Sequence, residues 1–200
     1  MGQITEAVLK HLDARGIRYE LDEDGDSHFF VQMDHSILRM SVEVMQDQNT
    51  LRVTACAPLF VPEEKRTAMA ELLARANYGL IRGNFELNCE NGRIRFKSSL
   101  DTNGVELPDE MIDPLLRTSW NMMDHCLPAI TQVAFGGVPA KEAFDQLQDR
   151  QAPPVKSMQA LRPAGEAPAH PGLSRKGVAG KRIQGRRLPS LIYSGPKGVA

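Results

Sequence analysis

Apolar and polar positions alternate along the first hundred residues with two clearly different periods. Ile4, Val8 and Leu12 recur at helical spacing, and Gly16 follows as a stop, so residues 3–15 read as an amphipathic helix. From Tyr19 the period drops to two. Tyr19 and Leu21 begin a short strand, and the acidic run Asp22–Asp26 turns it. Phe29, Val31 and Met33 form the next strand, and Leu38, Met40, Val42 and Val44 a third, half-buried one. Gln46–Asn49 is a polar turn, after which Leu51, Val53 and Ala55 continue until Pro58, where a strand is expected to break. Pro62 then opens a helix with Glu63 and Glu64 in its first turn, facing Met69, Leu72, Leu73 and Ala76 inward, and Gly79 closes it. Phe85, Leu87 and Cys89 alternate up to Asn91-Gly92, a dipeptide that favours a two-residue type I′ hairpin turn. Such a turn pairs Cys89 with Ile94, Leu87 with Phe96 and Glu86 with Lys97.

The last large element, roughly Leu107 to Val133, carries two apolar stripes. Leu115, Ser119, Met122, Cys126 and Ile130 form one, and Leu116, Trp120, Met123 and Leu127 form the other. A helix lying on a sheet needs one apolar face, so a doubled width predicts burial on two sides. Either a C-terminal helix starting at Pro139, with Phe144 and Leu147, covers the second stripe, or Leu116, Trp120, Met123 and Leu127 form a subunit contact, where Trp and Met are favoured. The second is the expectation carried forward, with the body a homodimer. Pro114 and Pro128 are expected to mark starts or kinks. The element order is α-β-β-β-β-α-β-β-α-α, an α+β domain with helices flanking a twisted antiparallel sheet.

Composition divides the chain at Arg150. Residues 151–200 hold nine Lys/Arg against Glu166 alone, a net +8, while the first 150 residues carry 15 basic and 24 acidic groups, a net −9. Residues 1–150 are thus expected to be the folded domain. The Pro/Gly-rich remainder lacks the periodicity to build a core and reads as a disordered tail. Leu188–Tyr193 is its one apolar island. The basic patch Arg175, Lys176, Lys181, Arg182, Arg186 and Arg187 could meet nucleic acid, mainly by electrostatics. The acidic body argues against the body reading nucleic acid itself.

Chemistry-bearing residues are scattered. Asp22, Asp24 and Asp26 begin a calcium-loop pattern, but Ser27 and Met33 stand where Gly and Glu are required, so an ordinary turn is expected. There is no HExxH and no GxSxG, and His125 and Cys126 are helix neighbours whose side chains diverge. Asp109, Glu110 and Asp113 sit at a helix start, where the macrodipole accounts for them. Gly177–Lys181 lacks the glycine and hydroxyl positions of a P-loop. Cys56, Cys89 and Cys126 are an odd, widely spaced set, expected to be buried free thiols of a cytoplasmic protein. No signal peptide, membrane span or myristoylation site is read, and no catalytic residue, metal or cofactor is expected.

The run Leu72–Leu80, then Gly83-Asn84-Phe85-Glu86-Leu87 and Asn91-Gly92-Arg93-Ile94-Arg95-Phe96, resembles the YbjN family of bacterial proteins. The resemblance covers about residues 1–148. It implies a fold similar to type III secretion chaperones, commonly dimeric, and a role in sensory-transduction regulation with no catalytic residues attached. The function expected is a non-enzymatic, chaperone-like or regulatory protein-binding module. The alternative is a nucleic-acid-associated regulator using the basic tail.

Overall fold

Alternating burial along most of the strands sorts the sheet into a helix-covered face and an open face. The computed structural model describes residues 2–102 and 107–150. Its elements are α1 (Gln3–Ala14), β1 (Tyr19–Leu21), β2 (Ser27–Gln32), β3 (Ile37–Met45), β4 (Thr50–Phe60), α2 (Arg66–Tyr78), β5 (Asn84–Leu87), β6 (Arg93–Asp101), α3 (Asp109–Phe135) and α4 (Ala140–Asp149). The strands form one antiparallel sheet in the order β1-β2-β3-β4-β6-β5. This is the α+β order expected from the sequence. The tail patch Arg175, Lys176, Lys181, Arg182, Arg186 and Arg187, and the proposed disorder after Arg150, lie outside the described residues.

Phe29, Val31, Leu38, Met40, Leu51, Val53, Ala55, Phe85, Ile94 and Phe96 face the helices and are buried. α3 runs across β3, β4 and β6 on this face, with α1, α2 and α4 packed around it. The consequence corrects the expected subunit contact. Leu116, Trp120, Met123 and Leu127 are 0–5% exposed within the single chain, as are Ser119, Cys126 and Ile130 of the other stripe. The second stripe is filled intramolecularly because sheet and helices together surround it, and its four residues present no surface to a second copy. α3 also continues through Pro114 and Pro128, so neither marks a helix start. Asp113 does more than offset a dipole: its carboxylate takes the Arg15 guanidinium at 3.1 Å and ties the end of α1 to α3.

Two further expectations change. β4 does not end at Pro58 but runs to Phe60, with a bulge between Cys56 and Phe60 that accommodates the missing N–H. The β5–β6 register is Phe85 with Phe96, Glu86 with Arg95 and Leu87 with Ile94, two residues away from that of a two-residue turn. The Asn88 carboxamide oxygen accepts the Glu90 and Asn91 N–H groups, the Gly92 N–H donates to the Asn88 carbonyl, and only Gly92 has positive φ. These local bonds outcompete the type I′ turn and build a wider loop. A slip of two keeps every side chain on its face, so the apolar ladder survives. Cys89, however, moves off that ladder into the loop, where it is exposed.

The stretch carrying the family resemblance has a physical role at each of its fixed points. Asn77 clamps β5 to the end of α2: its carboxamide oxygen accepts the Phe85 N–H at 2.7 Å and its amide donates to the Phe85 carbonyl at 3.1 Å. Gly83, at φ 72°, leaves no room for a Cβ, which would stand 2.6 Å from the Phe96 ring. Phe85 and Phe96 then meet edge to face at 4.9 Å. On the opposite face Glu86 bonds both Arg95 and Lys97; burial raises its carboxyl, but these partners outweigh it and hold the pKa below the usual glutamate value. Gly92 abuts the chain entering α2: the Val61 N–H donates to its carbonyl, and a Cβ there would fall 2.1 Å from the Val61 oxygen. Gly92→Val therefore meets both a strained φ and backbone atoms that cannot move aside. It is expected to lower stability by about 1–3 kcal/mol or more, read as a fall in the thermal midpoint; an unchanged midpoint would remove this contact from the account.

Candidate functional site

Small side chains decide where the helices close and where they gape. Ala140 and Ala143 are buried where α4 turns back along α3, and Gln132 bonds Gln146 across the pair at 3.1 Å. Further along, α2 ends at Gly79, and its last turns present Ala74 and Ala76 to the gap. The result is an apolar groove of about 750 Å³ between α2, α3 and α4. Ala74, Leu80, Met122, Phe144 and Leu147 wall it, with Cys126 among its lining residues. At its rim stand Tyr78, 96% exposed, the Glu71–Arg75 ion pair, His125 and Arg150.

The groove's titratable groups are poorly suited to reaction chemistry. Burial pushes the Cys126 thiol up to about 12, so it stays protonated at neutral pH. Burial, then the nearby His35 and Arg150, lower the His125 pKa and favour the neutral imidazole, with Asp124 opposing weakly. Asp124 itself is buried and accepts both the His35 backbone N–H and the His35 ring, at 3.0 and 3.1 Å, pinning the β2–β3 turn to α3. The Asp22 carboxylate likewise serves its own turn, accepting the Asp24 and Asp26 N–H groups and pairing with His28 at 2.9 Å. Among the described residues, no cluster of three or more His, Cys, Asp or Glu forms a metal set, and no helix is long and apolar enough to cross a membrane. What the groove offers is apolar surface with a polar rim, the chemistry of binding an extended or helical segment.

The residues named from sequence do not line it: Leu116, Trp120, Met123 and Leu127 belong to the core. The first stripe contributes Met122 and Cys126 to it, and Ala74, Leu80, Phe144 and Leu147 come from elements that only the fold brings together. Tyr78 left a signal in the sequence as an aromatic beside the stop of α2. Phe30 left one too: consecutive Phe29 and Phe30 on a strand place one ring on each face, and Phe30 is 65% exposed.

A profile of the family YbjN, described as "Putative bacterial sensory transduction regulator", matches residues 5–132, well over half of the chain. Among solved structures, the fold is similar to "YbjN, a putative transcription regulator from E. coli", with a TM-score of 0.50 at 16% identity, covering 64% of this chain and 91% of that one. No curated protein matches.

The three thiols give the geometry a chemical readout. Iodoacetamide on the native protein is expected to modify Cys89 first and Cys56 more slowly, because burial raises the Cys56 thiol pKa despite Arg93, Arg39 and Arg95. Cys126 should react only after unfolding. Peptide mass mapping checks the order, and early labelling of Cys126 would show the groove open to its floor.

Proposed function

The chain belongs to the YbjN family, and on that premise we propose that it is a non-enzymatic, chaperone-like or regulatory module that binds a segment of a partner protein in the cytoplasm. The observation that carries this reading is the groove between α2, α3 and α4, an apolar trough open to solvent and edged by the exposed Tyr78 ring. A segment with apolar residues at helical spacing would bury them against Ala74, Met122, Phe144 and Leu147, leaving polar groups at the Glu71–Arg75 pair and Arg150. Aromatic and Met side chains, here Phe144 and Met122, are types enriched at protein contacts.

The homodimer belongs to the same proposal and is supported by the resemblance alone, since the stripe around Trp120 is internal. Its contact has to use other side chains.

Ala74 is exposed on α2, so Ala74→Glu changes the groove without disturbing the core. Affinity capture with wild-type bait should retain partners that this variant loses by about tenfold or more, while replacing Arg186 and Arg187 with Ala leaves them bound. Partners kept by Ala74→Glu and lost with the tail arginines would transfer the function to the tail.

A further inference from the structure

The groove between α2, α3 and α4 lies where the folded body hands over to the rest of the chain. α4 ends at Asp149, and Arg150 leaves it with extended backbone, at φ −78° and ψ 112°. Leu147, Gln148 and Arg150 all line the groove, so the residues that follow begin at its rim. Whatever comes after Arg150 is therefore tethered beside an apolar trough walled by Ala74, Leu80, Met122 and Phe144.

The sequence just beyond Arg150 has the chemistry to fill that trough. Val155, Met158 and Leu161 recur every third residue, the spacing of one face of a short helical segment. Pro153-Pro154 stand before them and Pro163 after, the punctuation such a segment carries. Three apolar side chains are too few to build a core and enough to occupy one groove. The five steps from Arg150 to Val155 reach at most about 18 Å at ~3.6 Å each, enough to cross between helices packed about 8–10 Å apart. Charge agrees: Lys156 and Arg162 are the charged residues of 151–165, a net +2 beside a body of net −9. The tether is what selects this occupant. A short linker holds its segment at about millimolar effective concentration, so a Kd of about 100 μM in trans becomes about tenfold occupancy over vacancy in cis. Leu188–Tyr193 begins 38 residues beyond Arg150, where the same arithmetic gives a weaker advantage.

Resting on the reading of the groove as a segment-binding site, we propose that its resident occupant is the chain's own continuation. Val155, Met158 and Leu161 seat against Ala74, Met122, Phe144 and Leu147, and a partner segment binds by displacing them. The groove is thus self-covered, and freeing the segment raises partner affinity by about tenfold.

The test is hydrogen exchange read by mass spectrometry on the full chain, wild type against Ala74→Glu. Amides of residues 155–161 should exchange about tenfold or more slowly in the wild type than in that variant, at every protein concentration, while those of 188–193 do not change. A fluorescein-labelled peptide of residues 151–165, read by anisotropy, supplies the second arm. It should bind the full chain carrying Val155→Ser, Met158→Ser and Leu161→Ser about tenfold or more tightly than it binds wild type, because the groove is then vacant. Circular dichroism checks that both variants keep the fold. Equal exchange of 155–161 in wild type and Ala74→Glu, or equal peptide binding to wild type and the triple variant, overturns the proposal. Protection that grows with protein concentration overturns it in favour of a second copy. Protection of 188–193 lost in Ala74→Glu, with 155–161 unchanged, overturns it in favour of the distal segment. The groove reading fails separately, when captured partners survive Ala74→Glu.

Discussion

Everything in this fold answers to one constraint: α3 carries two adjacent apolar stripes and must be buried on more than one side. A sheet can cover only one face of such a helix. Here β3, β4 and β6 take that face, and α1, α2 and α4 take the others. Polar pins hold the arrangement at its ends and middle. Arg15 bonds Asp113, the Ser98 and Ser119 hydroxyls meet at 2.6 Å, and Asp124 captures the β2–β3 turn. The groove is what remains where α2 and α4 part over Met122 and Cys126. Fold and candidate site are thus two results of the same packing requirement.

Local pattern carried most of this architecture. The period-two runs gave every strand, because a half-covered sheet leaves the alternation of Leu38, Met40 and Val42 with Arg39 and Ser41 uncorrupted. Helix ends at Gly16 and Gly79 were equally plain. The failures came where two local signals competed or where distance mattered. Asn91-Gly92 favours a tight turn, yet Asn88 supplies a side-chain acceptor that local pattern does not weigh. Pro58 stops a regular strand, but a bulge absorbs it. The second stripe of α3 was visible as apolar; its occupant was not, since coverage by the chain's own elements or by a second copy leaves the same periodicity.

The same limit applies to charge. Net charge by segment gave an acidic body and a basic tail, and it argued against nucleic acid meeting the body. The sheet register redistributes those charges, gathering Arg39, Arg93, Arg95 and Glu86 at one end of one face beside the exposed Phe30, Ile37 and Phe60. A field is a property of surfaces, not of sums.

The central claim, that α3 is enclosed by its own chain, is tested most directly by denaturant unfolding of wild type and Trp120→Ala over a wide range of protein concentration. Trp120 is 3% exposed, so its truncation should cost about 3–5 kcal/mol, by the same amount at every concentration. A loss that appears only where concentration favours association, with the dilute variant as stable as the dilute wild type, would place Trp120 between subunits and contradict the account.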